Sequence, residues 1–277
     1  MEERAFLIDC GEGTQVQLRK AKARFSNINH IFISHLHGDH CFGLPGLIAS
    51  FRLLGRDMPL HVYGPKGIKK MMETIFTLTE THRGFEVIYH ELESKDSEKI
   101  YEDNRVEVFT IPLDHRIYCN GYLFREKPKE RHLNIEEVSK YPEIETCDYQ
   151  NLKNGKDYRL SDGYVLKNEI LTNDPSKSVS YAFCSDTRYL ETVIPIIENV
   201  DVLYHEATFL HELKEMADYT GHTTALEAAQ IAKKANVGKL ILGHFSNRYH
   251  DYSVFTDEAR AIFPNTFLPK ALEPVKI

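Results

Sequence analysis

Ser34-His35-Leu36-His37-Gly38-Asp39-His40 decides the reading of this chain, because four metal-binding side chains fall there between positions 35 and 40. The residues before it, Ile28-Asn29-His30-Ile31-Phe32-Ile33, are apolar and β-branched, the composition of a short buried strand. After it, Gly43-Leu44-Pro45-Gly46 turns the chain into an apolar helical stretch from Leu47 to Leu54. The loop therefore hangs from a strand and is pinned by a helix start, which suits ligands that must be held precisely. In extended backbone, residues two apart face the same way, so His35 and His37 are placed to grip one cation. Gly38 lets the chain turn and sends Asp39 and His40 elsewhere. Imidazole with carboxylate suits zinc and its first-row neighbours and hardly suits calcium or magnesium. Two such pairs in one loop point to two metals.

Outward from the loop, one pattern repeats: strand, polar residue at the strand end, helix. Strands are expected at Ala5–Cys10, Leu60–Tyr63, Phe85–Tyr89, Arg105–Ile111, Ile117–Phe124, Val179–Cys184, Asp201–Tyr204 and Lys239–Gly243. Helices are expected over Gln15–Ala21 behind a Thr14 cap, Lys66–Glu80, Leu190–Glu198, Ala225–Ala235 behind Thr223 or Thr224, and Val254–Ile262. Within the Lys66–Glu80 helix, Met71 and Met72 read as core filler. His115, Asp186, Glu206 and His244 all stand at strand ends, where sites of α/β architectures collect. Each alone is weak. With the loop, they complete the ligand count that two metals need.

At 277 residues the chain is long enough for one large α/β domain or two small ones, and 42% hydrophobic with 27% charged content is ordinary for a soluble protein. No apolar run approaches membrane-spanning length, and the acidic start lacks a signal-peptide core. The five cysteines (Cys10, Cys41, Cys119, Cys147, Cys184) are scattered without a CxxC pair, against a disulfide framework and for the cytoplasm. A net charge of -7 argues against a general nucleic-acid coat but leaves room for a local grip. Two basic clusters offer one: Arg19-Lys20-Ala21-Lys22-Ala23-Arg24 and Lys127-Pro128-Lys129-Glu130-Arg131-His132. From about 125 to 156 the composition becomes charged, Pro-bearing and poor in strands, with a short helical pattern around Ile135 to Tyr141. This reads as an excursion from a single domain over 1–277.

These residues carry a resemblance. FISHLHGDHCFGLPGL, VYGPKGI, SDTRY, HEATF and GHTTALEAAQIAKKANVGKLILGHFSNRY resemble the metallo-β-lactamase superfamily and, within it, the ribonuclease Z family of tRNA 3′-processing endoribonucleases. The HxHxDH run alone marks the superfamily; HEATF, the His-Thr-Thr helix start and HFSNRY are specific to the family. The resemblance implies an α/β fold, a four-layer αββα sandwich with two zinc ions per subunit at one edge. His35, His37 and His115 would hold one ion, Asp39, His40 and His244 the other, and Asp186 would bridge. Glu206 and His222 match the family's catalytic pair. A leader of strand, Gly-rich turn and strand that the family carries is missing, so the usual N-terminal strands are expected to be absent. The excursion matches in position the arm with which the family holds the tRNA elbow, making Lys127, Lys129 and Arg131 candidate substrate contacts. Its Gly-Pro-rich tip is replaced by Lys140-Tyr141-Pro142-Glu143-Ile144-Glu145. A homodimer acting on precursor tRNA is implied, with no membrane and no nucleotide cofactor.

The chemistry expected is hydrolysis of a phosphodiester by water that two metals acidify. Asp39 would orient or deprotonate that water, and His222, polarised by Glu206, would protonate the leaving 3′ oxygen. Two other readings use the same residues: a small-ester hydrolase or phosphodiesterase of this fold, and a non-catalytic, metal-loaded RNA-binding subunit.

Overall fold

The protein is described by a computed structural model over residues 4–81 and 84–275. It forms two compact units, one made of the chain up to Arg125 and from Val179 onward, the other of Glu126–Ser178. In chain order the strands of the larger unit begin with β1 (Ala5–Ile8), β2 (Ile28–Phe32), β3 (Leu60–Pro65) and β4 (Val87–Leu92). They continue with β5 (Lys99–Glu102), β6 (Val106–Leu113) and β7 (Cys119–Glu126). The smaller unit contributes β8 (His132–Leu133), β9 (Tyr158–Arg159), β10 (Val165–Leu166) and β11 (Thr172–Asn173). The larger unit resumes with β12 (Ser180–Cys184), β13 (Val202–Glu206), β14 (Lys239–Gly243) and β15 (Thr266–Phe267).

Two sheets build the larger unit. The first has order β1-β2-β3-β4 and is parallel throughout. The second has order β15-β14-β13-β12-β7-β6-β5; β12 to β15 run parallel, and β12 meets β7 antiparallel. Side chains alternate across a strand, and this sequence uses both faces. Ile31 and Ile33 point to a layer shared with the helices Leu44–Leu53 and Ile68–Leu78, beside Leu47, Ile48, Phe51, Ile68 and Met72. Phe32 points the other way, to a layer with Tyr63, Val106, Val108, Tyr122 and Phe124 that joins the two sheets. The outer face of the second sheet is covered by the helix Ala225–Lys234, whose Ala225, Ala228, Ala229, Ile231 and Ala232 are fully buried. The expected layered sandwich of helices, sheet, sheet and helices is the observed fold. Thr224 caps that last helix, its hydroxyl accepting from the Glu227 amide while Glu227 reaches back to the Thr224 amide. Such a cap is worth about 1 kcal/mol.

Several local expectations differ from the structure. Leu190–Glu198 does not form an α-helix; only a 3₁₀ turn over Glu191–Val193 is present. Pro195 explains it, since proline lacks an amide donor and its ring clashes with the preceding turn. Thr14 is the first residue of its helix, Thr14–Lys20, and not the cap; its hydroxyl donates to the Gly11 carbonyl at 2.7 Å. The helical pattern at Ile135 to Tyr141 shortens to Ile135–Val138. Strands β5 and β15 were not expected; they are short edge strands of four and two residues.

The smaller unit has its own core of Val138, Ile144, Leu152, Leu166 and Leu171. Asn168 is buried at its centre, donating to the carbonyls of Leu152 at 2.8 Å and Lys156 at 2.9 Å. The unit runs past 156, as far as Ser178.

Candidate metal centre

The polar residues at the strand ends of the larger unit meet at one place. The loop after β2 supplies His35, His37, Asp39 and His40; His115 follows β6, Asp186 follows β12, and His244 follows β14. Ligand atoms of His35, His37, His115 and Asp186 lie within 4.8 Å of one another, as do those of Asp39, His40 and His244. Within the first group, His35 Nε2 is 2.9 Å and His115 Nε2 3.3 Å from His37 Nδ1. Asp186 divides between the groups. Its Oδ2 lies 3.5 Å from His35 Nε2 and 3.8 Å from His115 Nε2, and its Oδ1 lies 3.4 Å from His40 Nε2 and 3.2 Å from His244 Nε2. Asp39 Oδ2 completes the second group at 3.3 Å from His40 Nε2 and 3.6 Å from His244 Nε2. Asp186 and His244 both adopt positive φ, 52° and 59°, so the chain leaves each strand in a conformation that β-strands do not use.

These donors fit a pair of transition-metal cations. His40 Nε2 is buried and has no hydrogen-bond partner, although it faces two carboxylates. A buried ring nitrogen left so is costly unless a cation takes its lone pair. The outer nitrogens are tied down as metal-bound imidazoles usually are. His40 Nδ1 meets Asp9 Oδ2 at 2.7 Å, His35 Nδ1 meets the Ser34 hydroxyl at 3.0 Å, and His115 Nδ1 meets the Gly221 carbonyl at 2.8 Å. Asp9 also accepts from the Ser34 amide at 2.7 Å and hydroxyl at 2.9 Å, so one carboxylate fixes both ends of the loop. The loop is wedged further at Gly43, where a Cβ would run into the Gly11 carbonyl.

Charge follows the same geometry. Burial pushes His35 well down, and the neighbouring imidazoles of His40 and His37 add to the push. The close approach of His244 holds Asp39 far below the usual carboxylate range, against the upward pull of burial. Burial works to lower His244, but the nearby Asp39 carboxylate and the charges of Asp186 and Glu206 outweigh it and bring it up to about 9.

Beside the cluster, His222 Nδ1 lies 2.9 Å from Oε1 of Glu206, which is fully buried. Glu206 also accepts from the Thr187 amide at 2.9 Å and from the Thr208 amide and hydroxyl at 3.0 and 2.7 Å. Burial alone would raise this carboxyl, yet the bond and charge of His222, the charge of His244 and the Thr208 hydroxyl bring it below its ordinary value. With Nδ1 committed to Glu206, His222 has Nε2 left for the site, and one of its ring nitrogens is within 4.8 Å of ligand atoms of Asp186 and His244. Thr208 ties the pair to the cluster, its hydroxyl also 3.0 Å from His244 Nδ1.

Asp9, Ser34 and Thr208 were missed by the sequence reading as parts of this site. Asp9 obeys the same strand-end rule as the others, standing just past β1. Lys127, Lys129 and Arg131 belong to the smaller unit. Lys129 pairs with Glu126 at 2.9 Å and donates to Ser176 Oγ at 3.0 Å; Arg131 donates to Thr172 Oγ1 at 2.7 Å and pairs with Asp174.

Ribonuclease Z of Bacteroides thetaiotaomicron is 46% identical over 270 residues, covering 98% of this chain and 85% of that protein. Ribonuclease Z of Cytophaga hutchinsonii is 49% identical over 266 residues, covering 95% of this chain and 84% of the relative. The family described as Anti-Pycsar protein Apyc1 matches residues 1–115. Among solved structures, human tRNase Z, short form, superposes with a TM-score of 0.70 at 24% identity, covering all of this chain and 90% of that one. The metallo-β-lactamase fold protein YhfI of Bacillus subtilis gives a TM-score of 0.66 at 18% identity, with 98% and 87% covered. At those identities the two structures speak for the fold.

Proposed function

The chain belongs to the ribonuclease Z family of metal-dependent endoribonucleases, and from that premise we propose that it removes the 3′ trailer of precursor tRNA by hydrolysing one phosphodiester, leaving a 3′-hydroxyl. We assign His35, His37 and His115 to one zinc ion, Asp39, His40 and His244 to a second, and Asp186 to both. The observation that supports this most is the divided carboxylate of Asp186, one oxygen turned to each histidine group. Bound there, two zinc ions supply positive charge against the phosphoryl oxygens and acidify an attacking water. Asp39, exposed over most of its side chain, would orient that water. Glu206 holds His222 by Nδ1, which leaves Nε2 to deliver a proton to the leaving 3′ oxygen. Thr187 and Thr208 fix Glu206 from three donors, so the pair keeps its aim.

The test is a zinc-supplemented cleavage assay on a 3′-extended tRNA precursor with the cut mapped. A single cut just past the acceptor stem with a 3′-hydroxyl is expected; hydrolysis of small phosphodiesters alone would replace this reading with the small-ester hydrolase. His222→Ala is expected to keep its zinc and lose about 10²-fold or more in kcat, and zinc loss in that variant would mean a ligand role instead.

The smaller unit is assigned to substrate holding. Contacts to RNA of this class go largely to shape and phosphate. Lys127, Lys129 and Arg131 are proposed as the phosphate contacts, and Lys129 and Arg131 would exchange their present partners for phosphate. Neutralising all three is expected to flatten the salt dependence of tRNA binding; an unchanged slope removes the unit from this role. A homodimer in the cytoplasm completes the proposal. Among the described residues no helix is long and apolar enough to cross a membrane.

A further inference from the structure

Phe42 follows the ligand-bearing loop and is 60% exposed, the most exposed phenylalanine among the described residues. Its neighbours His40 and Cys41 are buried, and the turn Gly38–Cys41 that carries Asp39 ends on it. Asp39 and Phe42 stand three apart on this turn, the spacing at which two residues of a helical turn share a face. The ring also rests on the backbone of Gly38: a Cβ there would come within 2.6 Å of Phe42 Cδ2 and Cε2. Glycine between His37 and Asp39 therefore serves a second end beyond the turn, giving the ring a floor. The Phe42 amide closes the arrangement by donating to the Gly38 carbonyl at 2.8 Å.

An aromatic ring held in water next to a candidate ligand set has no packing role that matches its exposure. It offers a π-face. Single-stranded nucleic acid is commonly held by bases stacking on such rings, without regard to base identity. A scissile phosphate at the cluster brings its flanking nucleobases within reach of this turn, since Asp39 lies on the turn that ends at the ring. We propose that Phe42 is a stacking platform for an unpaired nucleobase flanking the scissile phosphate, an inference that rests on the ribonuclease reading above. It sets where the strand lies over the metal centre, while the cation-binding side chains act on the phosphate itself.

The experiment crosses the protein variant with a change in the RNA. Wild type and Phe42→Ala, both checked for zinc content and oligomeric state, are assayed on intact 3′-extended precursor. They are then assayed on precursors carrying an abasic ribose directly 5′ or directly 3′ of the cut. Loss of one stacked base is expected to lower wild-type kcat/KM about 10-fold or more at one of the two positions. Phe42→Ala should lose as much on intact RNA and nothing further on that abasic RNA. Phe42→Trp should behave as wild type. Losses that multiply at both positions, an unchanged Phe42→Ala, or a variant that sheds zinc or changes oligomeric state would overturn the proposal, the last by making the ring a structural or subunit contact. A wild type that leaves intact precursor uncut would fail the ribonuclease reading itself, a result distinct from cutting without coupling.

Discussion

Asp9 shows how much one residue outside the ligand set can govern. It bonds His40 Nδ1 and both the amide and hydroxyl of Ser34, and it does so from a left-handed backbone conformation at φ 56°. Removing the carboxylate frees the His40 ring to turn and leaves the Ser34 amide seeking another acceptor. Asp9→Ala is expected to weaken metal binding about 10- to 100-fold, as loss of such outer partners does elsewhere; competition with a chelator measures it, and an unchanged affinity would show that His40 is aimed by the loop alone. The ligand candidates themselves were legible because histidines and carboxylates at strand ends have few structural uses. Asp9 and Thr208 were not, because an aspartate two residues before a glycine and a threonine after a strand are ordinary turn residues. Only the fold reveals that they face imidazoles from chain positions far away.

At the scale of elements, the strands and the capped helix at Ala225 could be read from period and cap chemistry. Leu190–Glu198 could not, since its apolar spacing resembled a helix while Pro195 forbade one. The first sheet holds a feature that periodicity does not disclose. His30 on β2, His61 on β3 and His90 on β4 form a row across three neighbouring strands. His30 and His61 stack at 5.0 Å between ring centroids, and His61 Nδ1 lies 3.0 Å from His90 Nε2. Tyr101 from β5 packs on His30 at 4.4 Å and Tyr63 on His90 at 4.2 Å. Burial, then the charge of His61, brings His30 down to about 4, with Arg56 and His90 lowering it further and Asp103 opposing. His61 and His90 are also lowered, by burial first; Glu86 opposes and Arg56 reinforces at His61. Groups whose folded values lie below the ordinary histidine value leave the unfolded chain to take protons first as pH falls. The stabilising contribution of His30 is therefore whole above about pH 6.5 and is lost on the way down to about 4, and His61 and His90 act in the same direction. Urea midpoints measured between those limits should fall steeply for the wild type and less steeply for His30→Leu. Parallel slopes would place the acid sensitivity elsewhere.

At the scale of the molecule, the candidate ligands come from both sheets of the larger unit: the loop after β2 from the first, and His115, Asp186 and His244 from the second. An ion gripped by both is a crosslink. It would tie chain positions as far apart as His40 and His244, but unlike a disulfide it would hold them only while the fold presents all its ligands together. A metal that binds the folded chain and not the unfolded one stabilises the fold by about 4 kcal/mol when its free concentration is a thousandfold above Kd. Chelation is expected to lower the melting temperature by several degrees, with re-added zinc restoring it; an unchanged melting curve in metal-free protein would show that the sheets hold without the tie. A chain fastened in this way opens more often when metal is scarce, and opened chains are what proteases find. The supply of metal would then set how long each molecule survives as well as how fast it works.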